Sequence, residues 1–599
     1  MKKQSCFVVL LMMLLLFPSG AFAQQQMIKG QVVDDKGETI IGATVMVKGA
    51  KEGTLTDIDG NFSVKGKVGN TLSISYVGFS PLEVKVTKLE GNRFILKEDS
   101  KLLDEVVVVG MDKQKRNTIT AAVSTVASDA IVNRPVTDLT SALQGNVAGL
   151  NFVTDAAPDG VGGETGAEIK FNIRGVGSIN GNGGEPYVLV DGVEQSLQNV
   201  NPNDIETISV LKDASAAAVY GARAAYGVVL VTTKSGRQEK TRVSYRGTVG
   251  FSSPINMPEM MNSLEFAKYV NERNDNDGVN HKFSDALIEK MEGFMKNPYS
   301  AEFPGIGPNQ NGTDWASSMD AVYANTDWFD YYFKDTAIRH SHNLSVTEGS
   351  EKFNYYVGLG YTYQDGLLDK VDDNLSKYNV NTKFQIIANK WLKFNFNNNI
   401  TLSILKRPMA NQTIFYGTLG QTIPNAPTHY PIDSEYNDAS EFRYLKESHY
   451  VQNRISDAMS FAATITPLPG WDIVGEMKVR FDVEDNSFKR GYPTVEKPDG
   501  ELKVDIGTKQ GYVYPGMEWK NSKWGSYTRG NAFNYYLSPN VSTSYVHTWG
   551  EHYFKAMAGF QMELQENSNG FTYKDGILGS DIYSFANSNG TLSAGEDRT

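Results

Sequence analysis

The sequence predicts a mainly β fold in three consecutive parts: a small β-sandwich, a compact α+β domain and a long antiparallel β region. Three observations predict it. Short β-rich runs separated by turn residues fill positions 27–99. Apolar and polar residues alternate with period two after residue 240. Beyond the first residues, no stretch of ~20 apolar residues is available to form a spanning helix. The 599 residues also exceed one ordinary domain.

The chain opens with a secretory signal, residues 1–23. Lys2 and Lys3 form a positive start, Cys6 to Phe17 form an apolar run, and Pro18-Ser19-Gly20 break it before the small-x-small site Ala21-Phe22-Ala23. A membrane anchor is the competing reading, but the run is too short for a hydrocarbon core of ~30 Å. Cys6 precedes the run, so it is not placed for lipid attachment. It is the single cysteine. Once it leaves with the signal, disulfides, cysteine metal sites and cysteine nucleophiles are excluded. A net charge of −12 and a mean hydropathy of −0.36 show no basic stripe, so no nucleic-acid partner is expected.

Residues 27–99 read as the sandwich. Its runs are Ile28–Val33, Thr44–Lys48, Gly60–Lys65, Thr71–Tyr76, Leu82–Val86 and Arg93–Leu96, separated by turns such as Asp57-Ile58-Asp59-Gly60-Asn61. That turn superficially resembles a calcium loop, but it lacks the frame and the closing Glu. Gly30-Gln31-Val32-Val33-Asp34, Ile41-Gly42-Ala43-Thr44-Val45, Gly53-Thr54-x-Thr56-Asp57-x-Asp59-Gly60-x-Phe62 and Ser75-Tyr76-Val77-Gly78-Phe79 resemble the carboxypeptidase-regulatory-like domain that precedes many SusC-like proteins. No nucleophile–base pair accompanies the resemblance.

Residues 102–114 carry Asp104-Glu105-Val106-Val107-Val108-Val109-Gly110 and the start of a polar linker, along which Lys113, Lys115 and Arg116 follow. Four successive β-branched residues favour extended backbone. Such a run is commonly a buried strand. Between two domains it reads instead as an exposed segment able to join another protein's sheet edge. It is similar to the TonB box of SusC-like proteins.

Residues 115–237 hold the most specific pattern. Leu143-Gln144-Gly145-Asn146-Val147-Ala148-Gly149-Leu150 precedes Ile173-Arg174-Gly175-x-Gly177 and Pro186-Tyr187-Val188-Leu189-Val190-Asp191-Gly192-Val193. Then follow Asn201-Pro202-x-Asp204, Leu211-Lys212-Asp213-Ala214-Ser215-Ala216-Ala217-Ala218-Val219-Tyr220-Gly221-Ala222-Arg223 and Gly227-Val228-Val229-Leu230-Val231. The run resembles the SusC/RagA plug signature throughout, with Arg174, Gly175, Asp191, Gly192, Lys212, Asp213, Tyr220 and Arg223 as its marker residues. Locally, strands are expected at Thr207–Leu211 and Val228–Thr232. Between them Asp213 caps, and Gly221 ends, a short Ala-rich helix. Gly175-x-Gly177 is not a nucleotide loop, because Asn180 stands where the third glycine belongs. Arg174 is a candidate to pair with acids of a barrel wall or, equally, within the plug.

Residues 240–599 alternate. Trp471–Val483, Phe554–Leu564, Phe394–Leu402, Tyr378–Ile386 and Phe353–Tyr363 each give one apolar and one wet face. A soluble sandwich turns the apolar face inward, and a membrane barrel turns it outward. Alternation alone does not choose. The signal, the plug resemblance and 30 Tyr with 29 Phe choose a transmembrane β-barrel. Ser263–Arg273 reads as a loop helix with Phe266, Ala267, Tyr269 and Val270 on one side. Positions 405–450 and 484–530 read as loops. Plugged barrels of this class have about 22 strands. The residues after the plug supply roughly half of them, so an incomplete barrel is expected.

Chemistry is sparse. His340-x-His342 puts two imidazoles on one strand side without a visible third ligand. Asp372-Asp373 falls in a turn, where solvated charge is expected. No G-x-S-x-G or zinc signature occurs, so neither an enzyme nor a cofactor is expected. The resemblance implies TonB-dependent import of a nutrient, glycan or peptide fragments, across the outer membrane of a Gram-negative, Bacteroidetes-type cell, with sandwich and plug on the periplasmic side. It implies outer-membrane lipid, TonB energised through ExbB/ExbD, and a SusD-like surface lipoprotein as partners. The alternatives are a ligand-sensing signal transducer, a siderophore- or cobalamin-type receptor, and a structural or adhesive surface protein.

Overall fold

The computed structural model describes residues 27–34, 37–48, 53–76, 79, 82–96, 106–109, 112–115, 123–132, 136, 139–154, 165–167, 169–175, 184–213, 218–236, 240–255, 257–316, 318–408, 419–434, 437, 439, 448–490, 494–500, 502–504, 525–550, 552–577 and 592–598. The signal lies outside them. Residues 1–120 and 121–599 form two compact units.

In the first unit, β1 (Met27–Val33), β2 (Thr44–Val47), β3 (Gly53–Leu55), β4 (Asn61–Lys65), β5 (Thr71–Ser75), β6 (Leu82–Lys85) and β7 (Asn92–Ile95) make two sheets, ordered β4-β1-β7 and β3-β2-β5-β6. Their inward residues, among them Ile28, Val45, Phe62, Leu72 and Ile74, share one core. Strand β3 was not expected from the sequence, because Gly53-Thr54-Leu55 is too short to show alternation. The Asp57 segment is a hairpin turn: Asp57 Oδ1 accepts the N–H of Asp59 (3.0 Å) and of Asn61 (2.8 Å), and Gly60 takes φ 72°.

Val106–Val109 (β8) is extended, as its valines require, but it pairs antiparallel with Asp112–Lys115 (β9). The polar linker expected there is therefore a second strand.

The second unit begins with β10 (Val123–Ala127), α1 (Ser128–Val132) and α2 (Leu139–Leu143), then β11 (Leu150–Thr154), β12 (Ile169–Ile173), β13 (Tyr187–Val190), β14 (Val193–Glu194), β15 (Ile205–Leu211) and β16 (Val228–Thr233). A five-stranded sheet runs β10-β15-β16-β13-β14, beside the β11–β12 hairpin. Leu139, Leu143, Val147, Ile205, Ile208 and Val229 fill its core. The expected Ala-rich helix is not seen as such. Residues 214–217 lie outside the described set, and Ala218–Ala224 forms 3-10 turns broken at Gly221, whose φ is 66°.

Around this domain the chain forms a sheet of 11 strands among the described residues: β17 (Arg242–Ser252), β18 (Ala337–Gly349), β19 (Phe353–Asp365), β20 (Asn374–Asn389), β21 (Leu392–Pro408), β22 (Ser448–Leu468), β23 (Trp471–Arg490), β26 (Gly525–Trp549), β27 (His552–Gln561), β28 (Leu564–Ile577) and β29 (Leu592–Arg598). A small hairpin, β24 (Thr494–Glu496) with β25 (Leu502–Val504), stands apart. Neighbouring strands pair antiparallel, and β17 and β29 are each paired on one side, so the sheet is not closed. The strands run beyond the loop boundaries expected from sequence, to Pro408 and Arg490. Phe554–Leu564 is not one strand: β27 ends at Gln561 and β28 begins at Leu564, both against β26. The break faces Pro539 of β26, which lacks the N–H that a continuous ladder needs.

The faces of this sheet decide what alternation left open. Val243, Tyr245, Val249 and Phe251 of β17 are all more than 60 % exposed. In register with them stand Leu344, Leu359, Phe461 and Met477. The polar face is the buried one, with Asn343, Asn381, Thr401, Ser456, Asp482 and Ser538 all under 9 % exposed against the plug or the adjacent wall. A soluble sandwich does the reverse. This is the geometry of a membrane barrel. Aromatic residues form two bands on the outer face. The ring-contact run Phe353, Phe384 and Phe396 and the Phe394–Phe461 pair lie near one edge, and Tyr361, Tyr378, His340 and Tyr363 near the other. On β19 the bands lie ~25 Å apart along the strand. Val357 sits between them. Val357→Arg is expected to lower the stability of the lipid-inserted protein by about 2–4 kcal/mol, read from urea unfolding in phospholipid vesicles. An unchanged midpoint would contradict the outward assignment.

The two sheet edges differ. Residues 350–352, 390–391, 469–470 and 550–551 make tight connections at one edge, while 253–336, 409–447 and 491–524 make long ones at the other. In 253–336, α3 (Ser263–Asn276) carries a capping box of Asn262 and Glu265, and α4 (Asp285–Lys296) is capped by Ser284. Helix α3 is longer than expected, and Tyr269 faces solvent. Its inner face instead takes Asn271 and Asn274, whose amides bind the backbone at Phe283 and Asn280. The aromatic α5 (Trp328–Tyr332) completes this region. No described helix is long and apolar enough to cross a membrane.

Candidate functional site

The site is the seam between plug and barrel wall. It starts from a two-residue turn. Val190 pairs with Val193, and Asp191 and Gly192 both take positive φ, 49° and 84°. Two such residues are what a type I′ hairpin needs, and Asp-Gly supplies them. The turn presents the Asp191 carboxylate to β20. Lys383 Nζ donates to Asp191 Oδ1 at 2.7 Å, and both side chains are nearly buried. Thr233 completes the shell: its N–H and hydroxyl donate to Asp191 at 3.1 and 2.6 Å, and its carbonyl accepts from Lys383 at 2.7 Å.

One strand over, the Asn201-Pro202-x-Asp204 segment lies against β19. Tyr356 donates to Asp204 Oδ1 at 2.6 Å, and Asn201 donates to Asn343 of β18 at 2.8 Å. The approach is close enough to require glycine. A Cβ on Gly358 would stand 2.4 Å from Asp204 Oδ1, and one on Gly360 2.4 Å from Asn201 Nδ2. The carbonyl of Asn199 accepts from Thr401 at 2.6 Å.

Complete burial pushes the Asp204 carboxyl up to about 6, against the Tyr356 hydroxyl, Lys234 and Lys383, which favour its charge. The folded value exceeds the unfolded one, so the seated plug holds this proton more tightly than the open chain. The resulting stabilisation is full below the unfolded value of ~3.9 and is lost as pH rises through about 6. Wild-type protein is therefore expected to resist urea better at about pH 4 than at about pH 7 in this respect. Asp204→Asn should remove that slope, as tryptophan-fluorescence melts at the two pH values would report.

The other marker residues divide. Arg223 binds Glu194 at 2.8 Å and the Tyr187 hydroxyl at 2.7 Å within the plug, and it reaches Glu563 of the wall. Tyr220 meets Tyr187 edge-on. Arg174 does not reach the wall: it pairs with Asp213 at 2.6 Å inside the plug. Lys212 donates to the Ala148 carbonyl, and the Gly175 N–H to Asn172. Of the segment 104–110, Val106–Val109 is described and Asp104, Glu105 and Gly110 lie outside the described residues.

His340 and His342 belong to the outer aromatic band. His342 meets the Tyr245 hydroxyl at 2.7 Å, and no group of three metal-ligating side chains occurs among the described residues. Asp373, expected to be solvated, is buried, and it bonds the plug's Thr165. The chain folds the plug beneath that turn, and sequence spacing does not reveal this. Lys383, Tyr356 and Glu563 were also not foreseen. Their signal was parity, since Lys377, Asn379, Asn381, Lys383 and Gln385 all fall on the wet face of β20.

A cavity of about 320 Å³ opens between plug and wall, lined by Tyr187, Gln198, Arg454, Arg480, Asp482 and Asn534 among others.

Known proteins match this arrangement. The model of the CarboxypepD_reg-like domain fits residues 28–108, and that of the TonB-dependent receptor plug domain fits residues 115–228. The chain is 30% identical over 595 residues to the TonB-dependent receptor SusC of Bacteroides thetaiotaomicron, covering 94% of this chain and 53% of SusC. It is 32% identical over 494 residues to the TonB-dependent receptor P26 of Formosa agariphila, covering 79% and 44%. The RagAB peptide importer in its open-open state superposes with a TM-score of 0.61 at 22% identity, over 82% of this chain and 53% of that one, a likeness of fold. The chain spans about half the length of the curated relatives it matches.

Proposed function

We infer, from the premise that this chain belongs to the SusC/RagA family of TonB-dependent receptors, that it serves active nutrient import across the bacterial outer membrane. The observation that carries the reading is the inverted sheet: apolar outside, polar inside, and wrapped against a domain held by the buried Asp191–Lys383 pair. Such an interior is wet, and it conducts only if the plug yields.

The edge with tight turns faces the periplasm, as in other outer-membrane barrels. Substrate, an oligomer of sugar or peptide units, arrives from the long-loop side, delivered by a SusD-like lipoprotein. Residues 104–110 act as the TonB box. The β8–β9 hairpin pairs one edge of Val106–Val109 within the chain. Handing β8 to TonB exchanges one ladder for another, so the pull begins without leaving backbone groups unpaired. The pull is resisted by the contacts at Asp191, Asp204 and Arg223. Binding and gating suffice, and no covalent step is involved. A peptide cargo has one added support, since the superposable RagAB is a peptide importer.

The test is deletion of residues 104–110 in the cell. Nutrient uptake should be lost while binding to whole cells is retained. Uptake at the wild-type rate would refute import and leave the sensing and adhesive alternatives.

A further inference from the structure

We propose that Arg454 forms a subsite for a carboxylate group of the transported oligomer, in the cavity between plug and barrel wall. This rests on the import reading and narrows it.

Arg454 lies on the polar face of β22 and lines the cavity of about 320 Å³ together with Arg480, Asp482 and Asn534. Three of the acids around it are already engaged, and Glu185, which also lines the cavity, makes no ion pair with Arg454. Asp482 lies 2.9 Å from Arg480 Nε, and Glu194 is held by Arg223 at 2.8 Å. Glu484, directly opposite Arg454 on β23, accepts instead from Gln452 at 2.9 Å and from Asn486 at 2.5 Å. Among the described residues, Arg454 has no hydrogen-bond or ion-pair partner. Arg480 is different, being fixed by Asp482 and by the Glu194 carbonyl.

A guanidinium carries five donors in a planar fork and no acceptor, and the fork matches a carboxylate bidentately. Standing partnerless beside a fixed ion pair, it is charge left over for a ligand. The cavity wall opposite is the plug strand that carries Tyr187, next to the Asp191 turn. An anion held by Arg454 therefore touches the domain that has to move. Two sources share this chemistry: a peptide's carboxylate, and the uronate of an acidic glycan.

The experiment uses the full-length protein in detergent and isothermal titration with four probes: penta-alanine, its C-terminal amide, tetragalacturonate and its methyl ester. One carboxylate probe should bind, with its neutral counterpart about 10- to 100-fold weaker. R454Q should erase that difference, and R454K should keep part of it. Which probe binds tells peptide from glycan. Equal affinity of R454Q and wild type, or no preference for either carboxylate over its neutral form, overturns the proposal. Heat-modifiability on a gel verifies that R454Q is folded, and R454K carries the comparison if it is not. Uptake that survives deletion of 104–110 while Arg454 still discriminates charge would sink import and leave the subsite standing. The converse pattern would sink the subsite alone.

Discussion

Lys383→Ala is expected to unseat the plug. The change leaves Asp191 nearly buried with its counter-charge gone. Removing one partner of a buried pair typically costs about 3–5 kcal/mol, because the remaining charge stays desolvated. Thr233 still donates two hydrogen bonds to Asp191, which places the loss toward the lower end. The full-length variant should release its plug at lower urea, seen as earlier protease access to residues near 191, and should leak small ions in planar bilayers. Lys383→Met combined with Asp191→Asn should recover much of the loss, since that pair leaves no orphaned charge. A single variant as tight as wild type would mean that the pair is not what holds the plug.

The second large effect is steric. Gly358→Val with Gly360→Val puts side-chain carbon 2.4 Å from Asp204 and 2.4 Å from Asn201. Neither neighbour has free room, because Asp204 is held by Tyr356 and Asn201 by Asn343. The plug segment must back away, losing both bonds and exposing an Asp that is otherwise buried. We expect a barrel that inserts and remains heat-modifiable, but whose plug is digested by external protease and whose uptake is lost. Normal uptake with a protected plug would show that the seam repacks cheaply.

Much of this was legible in the residues. Six of the seven sandwich strands were placed to within a residue or two, because turn residues bound each run, and β3 was not. Asp191-Gly192 announced a hairpin, since few other pairs tolerate positive φ twice. The partners of the marker residues were not legible. Arg174 and Arg223 look alike in sequence, yet one closes on Asp213 within the plug and the other reaches Glu563, some 340 positions away. Asp373 reads as a solvated turn acid until the fold lays Thr165 against it.

Sequence by itself determined the local geometry: extended runs from β-branched and alternating residues, turns from Gly and Asp, and a chain divided into sandwich, plug and wall. Only the tertiary structure decided which side of the wall is wet. Period two records that two faces differ, and it is symmetric under exchange of inside and outside. The burial of Asn381, Thr401 and Ser538, with Tyr245 and Phe251 left bare, breaks that symmetry. Charge pairing followed the same rule, because electrostatic attraction depends on separation in space, which chain order does not encode.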